Sequence, residues 1–166
     1  MTLHFWLQLV LDGVFAAMAA VGFGAVSNPP LRALGAAALI AAAAHAFRFW
    51  LLHATAVHII PASFLAALIT GLLSLWAAHR LHCTMETINF PAILPMIPGI
   101  PAYKTMLMLV KFMRCTDPVQ AQALLTSAFH NGFTALFILS ALVTGMLIPR
   151  MLLQKYSLMM TRGSRP

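Results

Sequence analysis

An all-α integral membrane protein, a bundle of about five transmembrane helices with its fourth segment broken by a Pro/Gly element, is the fold class that three observations predict. The first is composition. Of 166 residues, 61% are hydrophobic and only 8% are charged, whereas about a quarter of a soluble domain's residues are charged. So few polar groups cannot cover so much apolar surface in water. The second is run length: apolar stretches near the roughly 20 residues of a bilayer-spanning helix recur along most of the chain. The third is the stretch 91–103, apolar enough for membrane depth yet holding Pro91, Pro95, Pro98, Gly99 and Pro101. Each interior proline removes a backbone N–H and clashes with the preceding turn, and Gly99 opens angles closed to other residues. In lipid, freed backbone groups need partners, so irregular backbone lies against protein or a polar cavity. Broken membrane segments build the substrate or ion sites of many transporters; the alternative is a kinked helix that only shapes the bundle.

The first segment, 3–27, carries Asp12, then Ala16, Ala20 and Gly24 every four residues, a small face for a close neighbour. Residues 1–6 lack the basic n-region of a secretory signal, so this segment is expected to be retained. Asn28-Pro29-Pro30 reads as a helix N-cap followed by prolines. The second segment, 31–47, is alanine-rich and short for a span, and Gly35, Ala38, Ala42 and Ala46 thin it for burial. His45, Arg48 and Trp50 mark its end, and His53 and His58 dot the connection. Pro61 opens the third, 61–78, which His79, Arg80 and His82 close.

Residues 86–89 lead into the broken fourth segment, 91–114. Thr116-Asp117-Pro118 is a second cap with proline at its first helical position. The fifth segment, 118–148, exceeds what a bilayer requires. It therefore tilts, protrudes or breaks, with His130-Asn131-Gly132 the natural place for a break, and Pro149-Arg150 ends it at the start of a basic tail, 149–166. All five fall in one transmembrane domain, 1–166. Arg32, Arg80, Arg150, Lys155, Arg162 and Arg165 on one side outnumber Arg48, Lys111 and Arg114 on the other. The positive-inside rule then puts the N-terminus outside and the C-terminus inside. Four spans result instead if the second segment does not cross.

The net charge of +7 sits at segment ends, which points to topology and not to nucleic acid. Cys83 and Cys115 make neither a metal motif nor a disulfide framework. The histidines lack a complete ligand set, so no metal is expected. Three scattered carboxylates without a nucleophile–base grouping argue against an enzyme, and no cofactor is called for. Asp12 is the acid inside an apolar run, where a carboxylate faces a polar interior or a partner. It either carries a coupling proton or lies nearer the outer interface. His45 and Arg48, three apart on one helix face, either receive an anionic group or consist of a snorkelling arginine beside a structural histidine. Tyr103 offers a hydroxyl at the break or anchors at the interface.

Asp12 followed by Ala19-Ala-Val-Gly-Phe-Gly, Asn28-Pro-Pro-Leu-Arg-Ala-Leu34, His45-Ala-Phe-Arg48 and Pro95-Met-Ile-Pro-Gly-Ile-Pro-Ala-Tyr103 together resemble the small, YjjB-like membrane subunit of the threonine/serine exporter family. The resemblance covers nearly the whole chain. It implies a multi-pass protein of the bacterial inner membrane that exports small carboxylate metabolites, threonine and serine or dicarboxylates such as succinate. It implies proton coupling in place of ATP, consistent with the lack of a phosphate-binding Gly-rich loop with lysine. It also implies a larger YjjP-like subunit supplying the other membrane half. The family-like pieces carry Pro95, Pro98, Gly99, Pro101, Tyr103, Asn28, His45 and Arg48 as substrate-binding candidates and Asp12 for proton coupling. A half-helix starting near Gly99 would aim free N–H groups at a substrate carboxylate. A structural subunit without a substrate site is the alternative from a different class.

Overall fold

The computed structural model describes residues 3–55 and 57–153. Among these the chain is helical and no strand occurs: α1 Leu3–Ala25, α2 Leu31–Ala54, α3 Ile59–Leu81, α4 Met85–Ile93, a 3-10 turn Leu94–Met96, α5 Gly99–Met113 and α6 Pro118–Leu152. The basic tail residues Lys155, Arg162 and Arg165 lie outside the described residues. Four helices, α1, α2, α3 and α6, are long and apolar enough to cross a membrane, and five segments cross if α4 and α5 are one broken span. Contacts divide the chain into two compact units, residues up to Met96 with those from Ala141, and Ile97–Ser140.

In the first unit α2 packs against α1, α3 and α4, around a core that includes Ala20, Ala37, Ala41, Leu75, Ile88 and Ala92. Small side chains make this possible. The buried residues of α1 are the Ala16, Ala20 and Gly24 stripe read from the sequence together with Gly13 one turn before it. A Cβ on Gly13 would stand 3.1 Å from the Ala42 carbonyl oxygen, which shows how close α1 and α2 come. On α2 the fully buried face differs from the expected one: Ala33, Ala37, Ala41 and Ala44 are buried, while Gly35 is exposed with open space around it. Ala-rich helices look small on every side, so small residues alone do not select the face.

Several boundaries move. Helix α2 runs on to Ala54 and is 24 residues long, ample for a crossing. Its last turn is held by the His53 ring donating to the Phe49 carbonyl at 2.9 Å while stacking on the Phe49 ring. Asn28 is not the N-cap of α2, a place taken by Pro30. Asn28 instead closes α1 in the left-handed region, φ 46°, donating its N–H to the Ala25 carbonyl. Asparagine tolerates that region better than most residues. Helix α3 likewise ends on left-handed His82, which puts its stop where His79, Arg80 and His82 indicated.

Helix α4 begins at Met85, ahead of the proline stretch, and contains Pro91. The irregular backbone shrinks to the 3-10 turn and the Ile97–Pro98 joint. Gly99 is the first residue of α5 and has no positive φ, nor would a Cβ on it touch anything within 4 Å. Glycine is thus not required there by backbone angle. Gly99→Ala is expected to leave stability within about 0.5 kcal/mol of the parent, measured as thermal unfolding of the detergent-solubilised protein. A loss of several kcal/mol would mean that the break bends further in use.

Helix α6 runs unbroken for 35 residues from Pro118 to Leu152, roughly 52 Å at 1.5 Å per residue. Asp117 caps it as expected, accepting from the Val119 N–H at 3.2 Å. Of the alternatives open to so long a segment, a break at 130–132 does not occur. The breaker-like side chains bond to their own helix: Asn131 donates to Ser127 O at 2.7 Å and Thr134 to His130 O at 2.7 Å, the back-bonding that lets such residues stay helical. Pro149 does not end the helix either; it lies within it and is buried. Near it α6 crosses α3 at glycines, where a Cβ on Gly71 would meet Met146 O at 2.8 Å and one on Gly145 would meet Phe64 O at 2.7 Å.

Candidate functional site

The first unit gathers polar side chains that lie far apart in sequence. Asp12, halfway along α1, is carried on the helix that packs most extensively on α2. Its Oδ2 lies 3.0 Å from Nδ1 of His45. A carboxylate only accepts, so His45 donates through Nδ1. In neutral His45 that leaves Nε2 as the acceptor nitrogen. This Nε2 is buried and has no hydrogen-bond partner among the described residues. The two side chains differ in access: His45 is 9% exposed and Asp12 38%. The Asp12 carboxylate is therefore the more accessible of the two.

One helical turn on, Arg48 donates from Nη1 to the Met96 carbonyl at 3.3 Å and feels the charge of Asp12. The reason a carbonyl is available at Met96 lies in the proline element. Pro98 has no N–H for the Leu94 carbonyl. The Gly99 N–H turns back onto the Ile97 carbonyl at 2.8 Å, and the Ile97–Pro98 joint separates Met96 from α5. The end of the α4 half therefore exposes carbonyl oxygens and the negative end of its dipole. Arg48 meets that end, as a cation at a helix C-terminus should. Two polar contacts thus leave α2 one helical turn apart, His45 to Asp12 of α1 and Arg48 to Met96 at the end of the α4 half.

Of the sequence candidates, Asp12, His45 and Arg48 come together, and half-buried Pro95 sits beside Met96 in the same unit. Pro98, Gly99, Pro101 and Tyr103 belong to the second unit, with Pro98 buried and Gly99 and Tyr103 exposed. Asn28, in the α1–α2 turn, lies roughly four helical turns along the chain from Asp12. At the start of α5 the expected fan of amide donors is thin. Pro98 and Pro101 have no N–H, Gly99 uses its own, and Ala102 donates to Pro98 O at 3.2 Å. Ile100 supplies the remaining first-turn amide. The carbonyl end of the break is thus the better-equipped side, and Met96 is the residue that sequence reasoning missed. The signal was its place just before Ile97-Pro98-Gly99, where the preceding carbonyls lose their helical partners.

A second polar contact joins Glu86, in the first turn of α4, to Arg150, in the last turn of α6. It borders a cavity of about 40 Å³ lined also by Asn89 and Phe90, and the Asn89 side-chain oxygen there is buried with no partner among the described residues. The three carboxylates of the chain are then accounted for: Asp12 with His45, Glu86 with Arg150, Asp117 as a cap. Cys83, in the α3–α4 turn, has its thiol pushed up from the ordinary value by burial, the opposite of an activated nucleophile.

No solved structure matches this chain. An uncharacterized protein of Haemophilus influenzae is 36% identical over 148 residues, which is 89% of this chain and 48% of that relative. The chain spans about half the length of the curated relative it matches. The family model described as "Threonine/Serine exporter, ThrE" matches residues 12–152, a range that begins at Asp12 and includes His45, Arg48 and Met96. A multi-pass helical membrane protein with its polar site at a broken helix, this chain belongs to the threonine/serine exporter family.

Proposed function

We propose that the chain is one membrane subunit of a two-component secondary exporter, driven by the proton gradient, in the bacterial inner membrane. Its substrates are small carboxylates: amino acids of the threonine/serine type, after the family's name, or dicarboxylates such as succinate. The observation that carries this reading is the Asp12–His45–Arg48–Met96 cluster, with Asp12 and His45 3.0 Å apart and Arg48 reaching the break. A carboxylate substrate suits Arg48 through its planar fork, and a proton on Asp12 frees His45 to bond to it. Protonation and substrate binding are then linked through His45, the residue bonded to Asp12 one turn from Arg48. Pro98 keeps the α4 half from continuing as a regular helix past the Met96 carbonyl, and Pro95, Gly99, Pro101 and Tyr103 flank that joint along the chain. The larger YjjP-like subunit completes the path, and the N-terminus lies outside with the C-terminus inside.

Both subunits in liposomes, loaded with labelled threonine, serine or succinate, test the reading by counterflow and by the response to an imposed pH gradient. Stimulated exchange of at least one of the three is expected. With Asp12→Asn, exchange is expected to persist while its stimulation by the pH gradient disappears, because the proton-binding carboxylate is gone and an isosteric amide remains. Unchanged gradient stimulation in that variant would take Asp12 out of the coupling step. A complex that assembles but moves none of the three substrates would leave a structural subunit.

A further inference from the structure

At the far end of α4 from the Met96 carbonyl, the first turn of α4 and the last turn of α6 meet at a polar pocket. There Glu86 pairs with Arg150. Asn89, one turn on from Glu86 and on the same face of α4, lines the same cavity of about 40 Å³. Asn89 is 6% exposed, and its side-chain oxygen has no partner among the described residues. Met85 and Phe90 of α4 and Met146 and Leu147 of α6 supply the apolar remainder of the wall. All of these residues belong to the first unit.

A buried amide left without a hydrogen bond is costly, so such groups meet protein or ordered water. The charges of the wall decide what answers this one. Glu86 and Arg150 cancel, so an added cation would face the guanidinium and an added anion the carboxylate. A neutral group that both donates and accepts suits all three side chains. Size points the same way. One water needs about 10–15 Å³ of such space, whereas pockets for organic ligands start at roughly 300 Å³. We infer that the Glu86–Asn89–Arg150 cavity is a built-in water site, in which roughly one or two waters bond to the Asn89 amide and bridge it to the ion pair. The amide serves at either end, because a half-turn about its last bond exchanges donor and acceptor with little change of shape. An ion pair between two partly exposed side chains holds little by itself. Bridging water is nearly as good as a direct hydrogen bond. It joins the pair to a buried third member and so ties the start of α4 to the end of α6.

The test is X-ray radiolysis of the detergent-solubilised chain read by mass spectrometry, because hydroxyl radicals born from a held water oxidise the side chains beside it. The probe is Met85, which lines the cavity and is 2% exposed. Exposed Met151, in the last turn of α6, reports bulk solvent, and Met96 reports a buried methionine outside this cavity wall. Radiolysis is expected to oxidise Met85 within about threefold of the Met151 rate, while hydrogen peroxide added to the solution oxidises it at least about tenfold more slowly than Met151, as a water enclosed with it requires. That pair of rates needs no variant. Asn89→Leu, similar in size and without the polar group, is expected to lower radiolytic oxidation of Met85 at least about tenfold by removing a partner the water needs, and to leave Met96 as in the parent. Met85 untouched by radiolysis in the parent would mean a dry cavity, and Met85 oxidised by peroxide as fast as Met151 would mean open solvent. Either result overturns the assignment, as does undiminished radiolysis of Met85 in an Asn89→Leu chain that runs as the parent on gel filtration. Should that variant not fold, the two parental rates decide.

Discussion

Replacement of Arg48 by alanine is expected to weaken the substrate exchange proposed above by about 10- to 100-fold, while the chain still reaches the membrane. The range follows from the loss of a hydrogen bond to a charged group, about 1.5–3 kcal/mol. Arg48 bonds to the Met96 carbonyl at 3.3 Å while facing the charge of Asp12. Without it the carbonyl end of the broken helix loses its cation. Arg48→Lys is expected to recover little, because an ammonium is a point charge without the two-pronged donor geometry. Exchange rates at saturating and limiting substrate distinguish a binding defect, which raises the half-saturating concentration, from a slower turnover. If Arg48→Ala exchanged like the parent at limiting substrate, the carboxylate would have to bind elsewhere.

The all-helical membrane class was legible from composition and run length, and four long apolar helices fall on four of the five expected segments. The caps at Asp117–Pro118 and the Ala16-Ala20-Gly24 stripe were legible because local chemistry decides them. What was not legible involved two helices at once. Asp12 and His45 are 33 residues apart, and Arg48 and Met96 are 48 apart; no spacing rule pairs them, although each piece stood out separately. Local signals also misled where tertiary or backbone contacts override them. Arg48 and Trp50 read as a membrane edge, yet α2 continues to Ala54. His130-Asn131-Gly132 and Pro149 read as breaks, yet back-bonding side chains and close packing hold α6 helical through both. The proline stretch was right in kind and too broad in extent, since Pro91 and Pro101 are absorbed into helices and the joint is at Ile97–Pro98.

Gly145→Leu is expected to do more damage to folding than any substitution in the polar site. A Cβ alone at position 145 would lie 2.7 Å from Phe64 O, 2.8 Å from the Ala67 Cβ and 3.2 Å from Leu68 N. Two of those three atoms are α3 backbone, which no rotamer change can move aside. Overpacking usually costs about 1–3 kcal/mol; here even alanine should reach that range, and leucine should force α3 and α6 apart. Helix association in lipid rests on such close approach, because apolar side chains gain little by leaving acyl chains for each other. Gly35→Leu is the matched control, a glycine in another span with open space where its side chain would go. Fluorescence-detected gel filtration after mild detergent extraction should show the Gly35 variant as a single sharp peak near parental level, and the Gly145 variant aggregated or missing. If both variants ran as the parent does, the α3–α6 crossing would not be the contact that holds the end of α6 against the first unit.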